Sequence, residues 1–461
     1  MATDIYTSLV EIVGEAHVSA KKEELYFYGR DAGLMPAHEP DYVVVPKTTE
    51  EVQKIMLLAN REKIPIVPMG GGMSLAGLTI PLKGGVVVDT KRMRNIVELN
   101  KQGRYVVVEG GMPQGMLKAY LEKEFPGFMH SLPESPVMTT VGGSVSLHGQ
   151  GHLTHQIGYT SDMVSGLEVV LATGDVCKIG SCSMSPYWFS KGPTLPDLSG
   201  LFLGWLGTTG IITKVGLKLY RMKKIRDFEI FVTDRDDLVP EILFRLVDTE
   251  VVEDLKAVNQ AEPRMFEGLH LVLMYFTGDS DDEVEFKRRM IWESLRDIRV
   301  SRDGGFMSVF PDMRAEFLDL PQKAMTRMAD EKKGGGFEYT GPIIPMEKYP
   351  VISRKFSELA LANKLRYMTG VRVIGRGHGM MVGMGFFFNR ADEEMLEKGK
   401  RVLHEAFAFA LEHGGIPWKP TVIEQKMAME RMDPGTLGLM KIIHRNLDPN
   451  HIMNPGNWEV E

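Results

Sequence analysis

The chain holds only two cysteines, Cys177 and Cys182, among 461 residues. Two thiols make neither a disulfide framework nor a four-ligand zinc site, and they cannot hold an iron–sulfur cluster. A reduced, cytoplasmic setting is therefore expected. Positive charge is also scarce: the formal net charge is −7, which argues against a nucleic-acid partner, because phosphate binding needs a basic surface. No stretch of about 18 apolar residues occurs, so no transmembrane helix is expected. The first residues, MATDIYTSLVEIVGE, lack the basic and continuously apolar regions of a signal peptide. Internal repeats and low-complexity segments are absent too.

What is present is a globular composition, 43% hydrophobic and 25% charged, long enough for two or three cores. The 31 methionines read first as core filler, and otherwise as a soft docking surface or an active-site lining. Residues 4–16 form an amphipathic helix pattern, followed by a strand at 41–46. Thr48 with Glu51 three residues on is a capping box, and Val52, Ile55, Met56 and Ala59 then repeat at helical spacing. Strands follow at 64–68, 85–89, 94–100 and 105–110, then a helix at 112–124. Residues 130–220 are rich in glycine, serine and threonine and end in an alternating strand at 210–220. The basic run RMKKIR at 221–226 marks a boundary. Beyond it, strands at 227–233, 269–275 and 366–389 alternate with helices at 236–250, 281–297, 348–364 and 391–413. That pattern reads as a second α+β unit of antiparallel strands backed by helices. A helix at about 434–446 and the tail DPNHIMNPGNW close the chain.

The strongest local signal is Pro68-Met69-Gly70-Gly71-Gly72-Met73-Ser74-Leu75-Ala76-Gly77, set directly after a strand. Consecutive glycines let backbone N–H groups converge on an anion without interference from Cβ atoms. The following TIPL cannot open a helix, so this is no Rossmann fingerprint, and no Gly-Lys-Ser/Thr makes it a Walker loop. Alone, the loop reads equally well as a simple glycine turn. Two further segments shift the balance. SLPESPVMTTVGGSVSLHGQG at 131–151 and GTTGIIT at 207–213 supply small residues and hydroxyls suited to close approach by a planar ligand.

In order, these segments resemble the FAD-binding oxidoreductases of the vanillyl-alcohol oxidase/p-cresol methylhydroxylase superfamily, nearest the glycolate oxidase FAD-subunit and D-lactate dehydrogenase branch. The matching text runs from VVVPKTTEEVQKIMLLANREKIPIVPMGGGMSLAG through TTVGGSVS and DLSGLFLGWLGTTGIITKVGLKL to LDPNHIMNPG. The resemblance implies an α+β fold: a two-subdomain FAD-binding domain over residues 1–221, an α+β cap domain over 222–421, and a segment over 422–461 that returns to the FAD domain. It implies that Pro68, Met69, Gly70, Gly71, Gly72, Met73, Ser74 and Gly77 cradle the pyrophosphate. Pro133, Thr140, Gly142, Gly143 and Ser146 would line the flavin and ribityl chain, Gly207, Gly210 and Ile212 the adenine end, and Asn454 would return to the flavin. Relatives that tether flavin covalently through this loop carry a histidine near Met73; methionine cannot form that bond, which implies dissociable FAD.

In the 2-hydroxy-acid branch, cap histidines and a glutamate build a divalent-metal site. The aligned positions here hold Arg376, Gly383, Pro420 and Thr421, which implies a metal-free site with the chemistry carried by flavin. Read as a strand, Gly375–Met380 puts Arg376, His378 and Met380 on one face. Arg376 is then a candidate carboxylate anchor and His378 a candidate general base, or simply a rim histidine. Lys419, beside Trp418, and Tyr339 are further catalytic candidates, each also readable as ordinary solvation or packing. The expected activity is hydride removal from a small 2-hydroxy acid of glycolate or lactate type. An alkylphenol or aryl-alcohol dehydrogenase, or a flavin-holding electron-transfer subunit, are the alternatives. Electrons would leave to an electron-transfer flavoprotein, a cytochrome, an iron–sulfur subunit or a quinone, from a homo- or hetero-oligomer.

Overall fold

The structure, a computed structural model, describes residues 4–192, 195–260, 268–302, 313–318 and 335–459. The expected capping pair forms in part, its return bond landing on Lys47 N instead of Thr48 N. Thr48 Oγ1 accepts from Glu51 N at 3.2 Å, Glu51 reaches back to Lys47 N at 2.6 Å, and the helix Thr49–Glu62 starts there. Its buried stripe of Val52, Ile55, Met56 and Ala59 packs on a sheet of β1 (Val18–Ser19), β2 (Tyr42–Val44), β3 (Ile66–Met69) and β4 (Val86–Asp89). The order is β1-β2-β4-β3, with β2, β4 and β3 parallel. A parallel pair needs a crossover, and this helix provides it between β2 and β3.

A second sheet follows, with β5 (Ile96–Asn100), β6 (Tyr105–Glu109), β8 (Val164–Val170), β9 (Val176–Gly180) and β10 (Ile211–Lys218) in the order β5-β6-β10-β8-β9. The short β7 (Phe128–Met129) and β11 (Tyr220–Arg221) pair beside it. Glu168 on β8 joins the two halves. Its carboxylate accepts from Thr49 Oγ1 of the crossover helix at 2.7 Å and from Thr213 Oγ1 on β10 at 3.0 Å, and it pairs with Lys214.

The remaining strands are β12 (Ile225–Thr233), β13 (Asp254–Gln260), β14 (His270–Gly278), β15 (Ser301–Arg302), β16 (Gly335–Thr340), β17 (Ile343–Ile344), β18 (Tyr367–Ile374) and β19 (Gly379–Asn389). They form one antiparallel sheet, β15-β12-β14-β13-β18-β19-β16, with β17 on β19. Helices Val239–Asp248, Tyr349–Ala362 and Glu393–Glu412 cover one face and build the largest core. The single strand region expected over 366–389 is two strands, and β13 and the helix Val422–Met429 went unread in the sequence.

The C-terminal tail docks against β3: Ile66 N donates to Ile452 O and Asn454 N to Ile66 O, both at 2.7 Å. Asn454 itself is buried. Its amide donates to Leu78 O at 3.1 Å and Leu206 O at 2.6 Å, bridging two loops more than 100 residues apart in sequence. Its φ of 39° is a backbone that asparagine tolerates better than most residues. Asn454→Ala removes both donors and leaves two buried carbonyls orphaned, so a loss of about 2–4 kcal/mol is expected. Thermal or urea unfolding against the parent protein checks it; an unchanged midpoint would contradict the bridging role.

Candidate active site

The glycine loop leaves β3 and packs against the segment around Met138–Thr140. A Cβ on Gly71 would fall 2.4 Å from Met138 O, so this glycine is required by packing whatever the loop binds. Thr140 then caps the short helix Val141–Ser146, accepting from Gly143 N at 3.3 Å. The third glycine segment, Gly207–Ile212, runs into β10. Pro68, Met69, Gly70, Gly71, Gly72, Met73 and Ser74 line one cleft of about 300 Å³ with Pro133, Thr140, Gly142, Gly143, Ser146, Gly207, Gly210 and Ile212. Gly77 and Asn454 stand behind this wall; Gly77 N donates to Asp31 at 2.9 Å.

The opposite wall is the uncovered face of the cap sheet. Side chains alternate along a strand, so Met368, Gly370 and Arg372 of β18, Met381, Gly383 and Gly385 of β19, and Phe337 and Tyr339 of β16 face the cleft. Their neighbours Val371, Val373, Val382, Met384 and Phe386 fill the core behind. Gly370 pairs directly with Gly383, and a Cβ at 370 would meet nothing within 4 Å. The glycines thus leave a bare, flat floor. Methionine serves both roles the sequence left open, as core filler at Met384 and as cleft lining at Met368 and Met381.

One end of the floor is closed by Trp418 and Lys419. Trp418 Nε1 donates to His148 O at 2.8 Å, and its ring lies 6.1 Å from that of Tyr339. Lys419 Nζ lies 4.4 Å from the Trp418 ring centroid. Burial holds the Lys419 ammonium down at about 8 and pushes the Tyr339 hydroxyl far above its usual range, helped by the charge of Glu338. The Lys419 side chain is half-buried by area because it faces the open cleft, while protein surrounds the rest.

Where the cap meets the FAD domain, Arg372 donates to Asp254 at 2.8 Å, to Gly151 O at 2.6 Å and to Glu134; Lys256 pairs with Asp254 and Glu134. Burial opposes the charge on Glu134, yet Arg372 and Lys256 together hold its carboxyl down at about 2. Sequence reasoning did not find Arg372 or Glu134, and no local pattern signals a pairing across 238 residues.

Arg376 and His378 are not brought to the cleft. The strand expected over Gly375–Met380 is corrected: Gly375–Gly377 is the tight turn between β18 and β19, with Arg376 at φ 56°. Both side chains are exposed, and Arg376 faces Glu250 at 3.8 Å on the outer surface. Tyr339 and Lys419 do line the cleft, as does Arg372.

The cleft has the character of a cofactor site. Ser74 Oγ, Ser135 Oγ, Thr139 Oγ1 and both amide atoms of Gln150 are buried at its wall without a hydrogen-bond partner. Buried polar atoms left unpaired are costly, so a polar ligand is what satisfies them. The loops fit FAD: a glycine nest for the pyrophosphate, and a bare sheet face for a flat ring. No group of three histidine, cysteine or carboxylate side chains suited to a metal occurs among the described residues.

The comparisons agree with this geometry. A family profile described as FAD binding domain matches residues 40–180, and one described as FAD linked oxidases, C-terminal domain, matches residues 235–458. The chain is 28% identical to a mitochondrial D-lactate dehydrogenase [cytochrome] of Arabidopsis thaliana, covering 97% of this chain and 79% of the relative. It is 24% identical to a glycolate oxidase subunit of Bacillus subtilis, covering 98% and 96%. Among solved structures, a 4-ethylphenol oxidase from Gulosibacter chungangensis superposes with a TM-score of 0.84 at 20% identity, over 99% of this chain and 97% of the other. A p-cresol methylhydroxylase superposes at 0.82 and 19%, over 98% and 96%. The chain belongs to the FAD-linked oxidoreductases of the lactate and glycolate dehydrogenase branch, and its fold is that of the p-cresol methylhydroxylase type.

Proposed function

We propose that this enzyme oxidises a small 2-hydroxy acid and passes the electrons to a separate acceptor. The observation that carries the reading is Lys419: an amine in the cleft, with no carboxylate partner among the described residues, beside a tyrosine kept protonated. Bound FAD supplies the hydride acceptor. Arg372 commits three of its five N–H donors to Gly151 O, Asp254 and Glu134, leaving two for the substrate carboxylate. Tyr339 donates to the substrate oxygen. Lys419, as the neutral amine, takes the hydroxyl proton, since its affinity lies close to working pH.

A second reading keeps its place because the wall also offers Phe337, Tyr339, Trp418, Met368 and Met381. An alkylphenol or aryl alcohol would fill such a surface, with the Lys419 ammonium holding a phenolate. Anaerobic mixing with lactate, glycolate and p-cresol decides: bleaching by lactate or glycolate supports the first reading, and bleaching by p-cresol alone the second. A flavin that none of them reduces would point to an electron-transfer subunit.

If Lys419 is the base, flavin reduction rises with pH through about 8 and levels off above it. Lys419→Met should slow reduction by about 10²–10⁴-fold and flatten that profile. Stopped-flow reduction between pH 6 and 10 measures both, and a wild-type rate in the variant removes Lys419 from the chemistry.

The family resemblance sets a tethering histidine near Met73, and methionine cannot form that bond, so acid precipitation should release all the FAD into the supernatant. Yellow colour retained on the denatured pellet would show a covalent bond.

A further inference from the structure

Strand β16 alternates, so Phe337 and Tyr339 form cleft wall while Glu338 between them points the other way and is 1% exposed. Its Oε2 accepts from Leu34 N at 3.3 Å and from Ala76 N at 3.1 Å, and its Oε1 accepts from Tyr339 N at 3.1 Å. Ala76 and Gly77 end the glycine loop. Leu75 and Ala76 both have positive φ, 60° and 57°, so the loop leaves the nest through two consecutive left-handed residues that carry side chains. Asp31 completes the junction, taking Gly33 N at 2.8 Å and Gly77 N at 2.9 Å. A Cβ on Gly33 would lie 2.2 Å from Glu338 Oε2 and 3.0 Å from Asp31 Oδ1, so both carboxyls crowd the same Cα. Phe337 N donates to Ala32 O at 3.0 Å, and Leu34 is part of the cap core.

We infer that Glu338 is a positioning residue that fastens the cap wall to the exit of the FAD loop, so that cofactor affinity depends on a carboxyl which never touches the cofactor cleft. One cap strand then carries the aromatic wall on one side and the clasp on the other. The spacing between Tyr339 and the glycine loop is set by the clasp.

The clasp works as the neutral acid. Burial, then the charge of Asp31, outweighs the backbone bonds from Tyr339 N and Leu34 N that favour the ionised form and, with Glu424 adding a little, pushes the Glu338 carboxyl up to about 8. The groups facing it are Asp31, itself raised by burial, and Glu424, raised to about 7; the charge of Arg390 acts on Asp31 in the opposite sense. A raised affinity in the closed state means the contribution is complete below the ordinary carboxyl range near 4.5. It is lost as pH climbs toward 8, where an ionised Glu338 confronts Asp31.

The inference rests on FAD occupying the cleft and not on the substrate proposed above. Its test uses the full-length holoenzyme and reads FAD release by fluorescence, without substrate, from pH 5.5 to 9. Wild-type FAD should dissociate more readily by about tenfold or more across that range. Glu338→Gln, whose amide keeps one of the two accepting oxygens and cannot ionise, should hold FAD more tightly than Glu338→Ala at pH 6 and lose most of the pH dependence. Glu338→Ala should release FAD at least tenfold more readily at pH 6. A glutamine variant with the full wild-type pH dependence, or an alanine variant that folds and holds FAD as tightly as wild type, overturns the inference. A wild-type protein that carries no FAD at all would instead strike at the cofactor assignment.

Discussion

The cleft depends on four charges paired across the seam between domains, Asp254 and Arg372 buried and Lys256 and Glu134 partly so. Arg372, Asp254 and Lys256 sit on the adjacent central strands β13 and β18, two cations against one carboxylate. The second carboxylate, Glu134, comes from the FAD domain. With Glu134 withdrawn, the cap would keep a surplus positive charge in a poorly solvated place; since the Glu134 side chain is partly exposed, the cost is smaller than the roughly 3–5 kcal/mol of a fully buried pair. Replacing all four by hydrophobic residues could be neutral for stability, so the cluster is better understood as a register device. It lets the cap sheet approach the Pro133–Glu134 loop in one position, and that position leaves room for a flat ligand beside it.

The uncovered face of the cap sheet follows from the same arrangement. A sheet buried on both faces normally carries large side chains on both. Here β18 and β19 are large throughout toward the helices, while toward the seam Gly370, Gly383 and Gly385 interrupt Met368, Arg372 and Met381, with Gly370 opposite Gly383. Without a ligand this face would be a cavity that the fold gains nothing by keeping. The unpaired atoms of Gln150, Ser74 and Thr139 make the same point in polar terms. Both deficits, one apolar and one polar, meet in the one space that the loops also line.

Most of the FAD domain was legible in the sequence because its information is local. The Thr48–Glu51 cap, the helical stripe after it and the glycine loop are each written within a dozen residues, and their order carried the family resemblance. The site beyond the cofactor was less so. Gly375-Arg376-Gly377-His378-Gly379 alternates as a strand would, but the positive φ of Gly375, Arg376 and Gly377, at 52°, 56° and 91°, makes a turn. Glycine at every second position permits both structures, and periodicity cannot choose between them. Arg372 was overlooked for a different reason: it reads as one more strand residue until Glu134, Asp254 and Gly151 meet it in space. Glu338 hides likewise, a carboxylate in an alternating strand that would ordinarily face water.

Trp418-Lys419-Pro420 shows how a short segment can hold an amine inside a cleft. Lys419 has φ 50°, uncommon for a residue with a side chain, and the proline after it narrows the backbone further. Such backbone persists only where its surroundings hold it, and here the Trp418 hydrogen bond to His148 O anchors the turn from the FAD domain. The strain keeps the amine in the cleft, where a relaxed loop would let it reach water. Lost solvation then lowers the lysine's proton affinity and raises the tyrosine's. One environment therefore moves two neighbouring groups in opposite directions, as the acceptor and donor roles proposed for them require. Burial alone accounts for the lysine's shift, while the charges of Glu338 and Glu424 add to the tyrosine's. A ligand that expels more water from the cleft would deepen both, so the division of roles is reinforced at the moment the site is filled.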